Sequence, residues 1–298
     1  MPYVFFVLIC LIWSVSFLLM KKAALAFGPI GIAGWRCLSG AVILALVWRW
    51  RGHAWPLTRK EWPPLLGIVA VGFAWPYALQ PYLVTHHGSG FVGMTMAFVP
   101  LLTIVVSIPM LRIYPTVWQV TGVVGGLGFM GLIFADSLSR SMPLAHALLA
   151  ITIPLSYALT NTFLKRRFAS VPPLALSLAA LSLAGTVLTP AGFILPQEGV
   201  RLGPDFVFAA LCLGFLGVIG TGAAMFMFYK LIQDRGPLFA GMTTYVIPVG
   251  ALIWGWLDAE PLSARQVLGL AGVLGMVALV QFADRLPRVR EAPALPAE

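Results

Sequence analysis

The chain has 298 residues, of which 60% are hydrophobic and only 10% charged, and its mean hydropathy is +0.93. Soluble domains carry roughly 25% charged residues, so this composition excludes a water-facing globular surface and makes lipid the natural solvent. The net charge of +9 does not point to nucleic acid, because the basic residues sit in short clusters between apolar runs, as membrane topology requires.

A hydrocarbon core of about 30 Å needs about 20 helical residues, and ten segments meet that length. Residues 3–20 follow Met1 and Pro2 without a basic leader, and read as a retained first helix rather than a signal peptide. Gly28 and Pro29 then open a second segment, 30–48, and a polar, basic stretch from Arg49 to Lys60 precedes the third, 63–84. His86 and His87 mark a short loop before 90–110, which 116–135 and 143–164 follow. Lys165, Arg166 and Arg167 separate these from 172–194, 206–230, 238–257 and 264–283. Residues 284–298 are rich in Pro, Arg and Ala and predict a disordered tail.

Orientation follows from the basic residues. With a cytoplasmic N-terminus, thirteen lysines and arginines fall on the inner side, among them Arg49, Lys60, Arg112, Lys165 and Arg285. Only five fall outside: Lys21, Lys22, Arg140, Arg201 and Arg265. The bias predicts a multi-pass protein of the inner (plasma) membrane with both termini cytoplasmic.

The chain also repeats itself. Residues 91–100 (FVGMTMAFVP) and 239–248 (FAGMTTYVIP) agree at five of ten positions, and residues 119–132 and 266–279 agree at seven of fourteen. Segments 4 and 5 therefore match segments 9 and 10, and the unit is five helices. An odd number of spans turns the second copy over in the membrane, as in many secondary transporters. The predicted fold is all-α and integral to the membrane, with ten transmembrane helices in two inverted five-helix repeats. Residues 1–138 form the first repeat, 139–283 the second, and 284–298 a cytoplasmic tail.

Ile12, Trp13, Ser14 and Phe17, the Trp35 and Arg36 pair, Pro100 and Pro248, and the run Glu260, Pro261, Leu262, Ser263 with Gln266 and Gly269 together carry a family resemblance. With these motifs the chain resembles the EamA-type carriers of the drug/metabolite transporter superfamily over nearly its whole length. The first half departs from that pattern, because Arg112 to Pro115 stand where the family often has an acidic residue and proline. The resemblance implies a central substrate cavity lined mainly by helices 1, 3, 4, 6, 8 and 9, with helices 2, 5, 7 and 10 more peripheral.

Absences narrow the chemistry. All ten acidic residues lie in loops, at span ends or in the tail, so carboxylate-based proton or sodium coupling is not expected. Cys10, Cys37 and Cys212 lie in apolar segments without metal-ligand spacing and read as inert buried thiols. No catalytic constellation, metal site or cofactor motif is present in the sequence. His86 and His87 read as solvated loop residues rather than a metal site. Arg36 is the one basic residue well inside a span. It reads either as an anion contact or as a charge that snorkels or ties down carbonyls, and the peripheral place implied for helix 2 favours the second.

The candidate substrate contacts are aromatic and polar residues at mid-membrane depth: Trp13, Ser16, Tyr77, Gln80, Tyr82, Thr95, Tyr157, Asn161, Tyr229 and Thr243. Buried amides and hydroxyls should face the protein interior or water rather than lipid. Pro100 and Pro248 are candidate hinges, since each removes a backbone donor near mid-helix. Glycines of helix 5, such as Gly125 and Gly128, are echoed by Gly272 and Gly275 in helix 10; this small-residue face suits close packing of the two helices or a contact between two molecules, and the first is the favoured reading. The expected function is a carrier, not an enzyme, moving small neutral or zwitterionic metabolites by alternating access. Amino acids, aromatic ones included, are the first choice, in export or exchange. Its partners are the small-molecule substrate and the lipid bilayer, with no nucleic acid, in a monomer or weak dimer. The rivals are an integral-membrane enzyme and a passive channel.

Overall fold

The structure, a computed structural model, describes residues 2–52, 55–111, 116–139, 142–168, 170–195, 199–228, 230–231 and 243–282. The expected tail and the first four residues of the second repeat block, 239–242, lie outside the described residues. Among the described residues all regular structure is helical.

α1 is Pro2–Ala23 and α2 is Pro29–Arg51, whose proline supplies the fixed φ that suits a first helical turn. α3 opens with a 3-10 turn at Arg59–Glu61 and runs through Trp62–Val69, a π-turn at Ala70–Ala74 and Trp75–His87. α4 comprises Ser89–Thr95, a 3-10 turn at Met96–Phe98 and Val99–Leu111. α5 is Val117–Ser139, α6 Leu144–Arg167 and α7 Pro173–Ile194. α8 is Phe206–Gly217 followed by a π-turn at Val218–Ala223, and α9 and α10 are Thr243–Leu257 and Ala264–Phe282. Seven of these helices are long and apolar enough to cross a bilayer, and shorter apolar helices lie in α5, α9 and α10.

The outer faces are apolar too. Val7, Leu8 and Leu11 of α1, Val120 and Val124 of α5, and Val207, Leu211 and Phe215 of α8 are all exposed. Contiguous apolar surface on this scale suits hydrocarbon, where helices satisfy their own backbone groups.

Three pairs of helices run antiparallel at close approach. In α2 and α7, Gly31 meets Gly192, Gly34 meets Thr189 and Leu38 meets Gly185, so one chain rises as the other falls. The same reversal links α5 to α10 through Gly125 with Met276, Phe129 with Gly272 and Ile133 with Gly269. It also links α4 to α9, through Gly90 with Gly255 and Gly93 with Ala251. Small residues allow this approach and maximise dispersion contact where no hydrophobic drive exists. In α5 the interface uses Gly125, whereas Gly128 and Gly131 face open space.

Packing falls into two apolar clusters. One joins α1, α4, α5, α9 and α10 around Phe98, Leu101, Ile133 and Val273. The other joins α2, α3 and α7 around Ala33, Leu65, Phe73 and Leu181. Tyr157 of α6 packs against both.

Candidate functional site

Where the two clusters meet, a cavity of about 130 Å³ opens. It is close in size to an engineered apolar cavity of roughly 150 Å³ that admits benzene. One wall comes from α1, with Trp13, Ser16, Phe17 and Met20, and the opposite wall from α6, with Tyr157, Thr160, Asn161 and Leu164. Both sets follow the i, i+3, i+4, i+7 spacing that puts side chains on a single helix face. α3 adds Gly72, Phe73, Tyr77 and Gln80, α4 adds Met96 and Val99, and α9 adds Thr244 and Ile247. Met225 and Phe228, at the end of the α8 span, complete the lining together with Arg36 of α2.

The two π-turns shape this site. Each inserts a residue that breaks the regular ladder and re-aims nearby groups. In α8 the widened turn lets the Gly220 carbonyl accept from the Trp13 indole at 3.0 Å. It also turns Thr221 so that its hydroxyl donates to the Leu216 carbonyl and accepts from Arg36 Nε at 2.9 Å. In α3 the turn at Gly72 leaves room for Thr160, whose side chain a Cβ there would meet. Thr160 Oγ1 is buried and has no hydrogen-bond partner among the described residues. Gln80 Nε2 donates to the Tyr157 hydroxyl at 3.0 Å.

Arg36 is the main departure from expectation. Although α2 packs chiefly on α7, the guanidinium reaches inward to the cavity, and Arg36 as a whole is 5% exposed. It lies 3.9 Å from the centre of the Tyr77 ring, and NH1 approaches Met20 Sδ at 3.6 Å. Snorkelling to the membrane surface is therefore not what this side chain does.

Six of the ten candidate contacts line the cavity: Trp13, Ser16, Tyr77, Gln80, Tyr157 and Asn161. Three do not. The Tyr82 hydroxyl pairs with His146 Nε2 at 3.1 Å, near the end of α3, where His146 Nδ1 also meets His87 Nε2 at 2.7 Å. His87 is thus tied to a third imidazole that sequence proximity did not reveal. Thr95 is buried and folds back onto the Val92 carbonyl at 2.7 Å. Thr243 is buried against Cys10, and its neighbour Thr244 takes the place in the lining. The side chain of Tyr229 lies outside the described residues. Phe73, Met96, Val99 and Ile247 join the lining without a contact signal in the sequence, and Thr160, a hydroxyl at the same mid-membrane depth as Tyr157 and Asn161, joins it as well. For Phe17, also in the lining, the available signal is its helical spacing from Trp13.

At one end the bundle is tied by charge. Lys21 of α1 bridges Asp258 at 2.7 Å and Glu260 at 2.8 Å, and Lys22 also pairs with Asp258. Glu260 accepts from the Ser89 amide at 2.7 Å, the Gly90 amide at 2.9 Å and the Ser89 hydroxyl at 2.9 Å. A carboxylate there satisfies two orphan donors and the positive end of the α4 dipole. Partial burial pushes the Glu260 carboxyl up, but Lys21 and the Gly90 and Ser89 donors outweigh it and hold it below its ordinary value. Burial likewise raises the Asp258 carboxyl less than Lys21 and Lys22 lower it.

Local sequence aims Glu260. The amides of Ala259 and Glu260 return to the carbonyls of Trp256 and Gly255, closing α9 with Ala259 at φ 60°. That left-handed conformation costs a non-glycine residue about 1–2 kcal/mol. Ala259→Gly is therefore expected to raise stability by about 0.5–1 kcal/mol net of the freer unfolded chain. Thermal unfolding in detergent checks it. Ser263 and Gln266 then form a reciprocal cap on α10, with Ser263 N to Gln266 Oε1 at 3.2 Å and Gln266 N to Ser263 Oγ at 3.0 Å. Ser263 Oγ also donates to Asp136 Oδ2 of α5 at 2.8 Å.

Apolar helices around one amphipathic cavity are the architecture of a multi-pass membrane transporter. Comparison with known proteins agrees and gives the family. The description of the EamA-like transporter family matches residues 1–135 and again 144–282, and the chain belongs to that family. The uncharacterized inner membrane transporter YedA of Escherichia coli (strain K12) is 28% identical over 284 residues, covering 93% of this chain and 89% of its own length. The uncharacterized transporter YvbV of Bacillus subtilis (strain 168) is 24% identical over 273 residues, covering 91% and 88%. Protein PagO of Salmonella typhimurium is 23% identical over 296 residues, covering 95% and 94%. A solved crystal structure, 17% identical, aligns with a TM-score of 0.69 over 95% of this chain and 97% of its own, which shows the shared fold. The family and its relatives' names indicate a transporter rather than an enzyme.

Proposed function

We propose that the chain is a ten-span inner-membrane carrier of small neutral or zwitterionic metabolites, with amino acids the leading candidates, working by alternating access. Its repeats are residues 1–138 and 139–283, inverted relative to each other, with both termini cytoplasmic. The observation that carries this reading is the correspondence of the cavity's two walls. Trp13 and Ser16 of α1 face the site as Tyr157 and Thr160 do from α6. The would-be Cβ of Gly72 in the α3 π-turn meets Thr160, and that of Gly220 in the α8 π-turn meets Ser16.

Several further facts support it. The π-turns start at Ala70 and Val218, the same step along the chain as from Phe91 to Phe239. The three antiparallel pairs, α2 with α7, α4 with α9 and α5 with α10, are those that an inversion of five-helix units demands. The family description matches the chain twice, on either side of residues 136–143. The cavity combines hydroxyls, an amide pair and aromatic faces, which suits solutes with polar ends and an apolar body. Its lining is buried at Met20 and Met96, toward the end tied by Lys21 and Glu260, and exposed at Asn161.

Counterflow in proteoliposomes tests the reading. Unlabelled amino acid inside should accelerate entry of the labelled one, which a passive pore cannot reproduce. A flux that ignores solute on the far side, or no flux of any small metabolite, would sink the carrier reading.

Within this mechanism Pro100 and Pro248 act as paired hinges. Pro100 follows the 3-10 turn in which Val99, not the missing proline donor, bonds the Met96 carbonyl, and Pro248 lies inside α9. Pro100→Ala and Pro248→Ala are expected to slow exchange several-fold while the protein stays folded. Unchanged exchange rates in both variants remove the hinge role.

A further inference from the structure

We infer that Arg36 is a carboxylate-binding subsite, and that the transported solute is a small molecule with one carboxylate and an apolar body. This deepens, and rests on, the carrier reading of the same cavity.

A guanidinium is a permanent cation. Placing one in a helical bundle at 5% exposure is costly unless an anion answers it. Among the described residues no acid does so, since the ion pairs there are those of Lys21 and Lys22 with Asp258 and Glu260. Arg36 has instead a hydroxyl acceptor at Nε, a thioether near NH1 and the Tyr77 face beneath it. These contacts fix the plane of the fork and neutralise none of its charge. The fork's geometry matches a planar carboxylate, which it binds through two parallel N–H donors.

The rest of the lining limits the solute. Among the described residues Arg36 is the one charged side chain in the lining, and a single cation balances a single carboxylate but leaves half the charge of a phosphate dianion unmet. Trp13, Phe17, Phe73 and Phe228 supply faces for an apolar body. The buried, unpartnered Thr160 hydroxyl marks a second polar position on the wall opposite α1.

The test measures binding to the purified full-length protein, by intrinsic tryptophan fluorescence and by calorimetry, separately from transport. Four matched probes are used: 3-phenylpropionate, L-phenylalanine, 3-phenylpropanol and phenethylamine. Inorganic phosphate is a fifth. The expected result is saturable binding of 3-phenylpropionate and of L-phenylalanine, with affinity about 10- to 100-fold lower for the alcohol and the amine. Arg36→Gln should remove that preference, and Arg36→Lys should keep the charge but weaken carboxylate binding by losing the paired donors. The wild-type comparison needs no variant, so a misfolded substitution does not spoil it. Equal affinity for the acid and the alcohol, tighter binding of phosphate, or no carboxylate binding at all would overturn the subsite. Counterflow failing while carboxylates still bind through Arg36 would instead remove the carrier reading and leave the subsite standing.

Discussion

Replacing Gly34 by valine is expected to prevent recovery of a folded protein, and Gly34→Ala to destabilise it measurably. A Cβ at this position would lie 2.5 Å from the Thr189 nitrogen and 2.6 Å from its Cα. Those atoms are backbone of α7 and cannot rotate aside as a side chain would. The helices must separate, and separation also opens the contacts of Gly185 with Leu38 and Gly192 with Gly31 along the same seam. Overpacking of a close-packed interior costs about 1–3 kcal/mol. The alanine belongs near the upper end of that range because backbone resists, and the valine beyond it. In a bilayer no hydrophobic drive pushes the parted helices back together, so the lost dispersion contact is not recovered. Gly128→Ala is the control, since nothing lies within 4 Å of a Cβ there and helix propensity favours alanine by about 1 kcal/mol. The readout is the fraction surviving as a monodisperse peak after heating in detergent. A Gly34→Ala protein as heat-resistant as the parent would show that α2 and α7 do not meet in this way.

This seam also explains which parts of the molecule could be read from sequence. Apolar length announces each helix, because burial in lipid demands it of every residue in a run. It says nothing of azimuth. Tyr82 and Thr95 lie at the right depth and yet point away from the cavity, one to His146 and one back to its own helix. Trp13 and Ser16 share a face with Phe17 and Met20, and that spacing was available in the sequence as an i, i+3, i+4, i+7 set. Arg36 carried a signal in its cost, but its direction depended on the π-turn that presents Thr221. A π-turn has no sequence signature here beyond glycines, which α2, α4, α5, α7, α9 and α10 also carry. The tie between Glu260 and Ser89 was hidden for a different reason. It joins residues far apart in the chain, and only the run Glu260 to Ser263 hinted that the loop was specific.

Glu260 supplies the second large effect, and here stability and mechanism are coupled. Glu260→Gln is expected to cost about 2–4 kcal/mol at neutral pH, as a charge-assisted set of bonds to Lys21, Ser89 and Gly90 becomes neutral. The folded carboxyl sits below its ordinary value, so its contribution is complete above the unfolded-state value of about 4.3 and is lost as pH falls through the folded one. The stability gap between parent and Glu260→Gln should therefore stay level from pH 8 to about pH 5 and close as the solution is acidified further. A gap that persists unchanged under strong acid would mean the carboxylate's charge is not what binds this end. In the carrier reading the same bonds hold shut the end of the bundle beside Met20, and the open form lacks them. Removing about 2–4 kcal/mol from the closed form alone shifts the closed-to-open ratio by the same free energy, roughly 30- to 1,000-fold. A cysteine introduced at Met20, buried at 1% exposure, should then react faster with an impermeant thiol reagent in Glu260→Gln than in the parent. Equal labelling rates would separate the two roles and leave Glu260 as a cap on α4 with no part in gating.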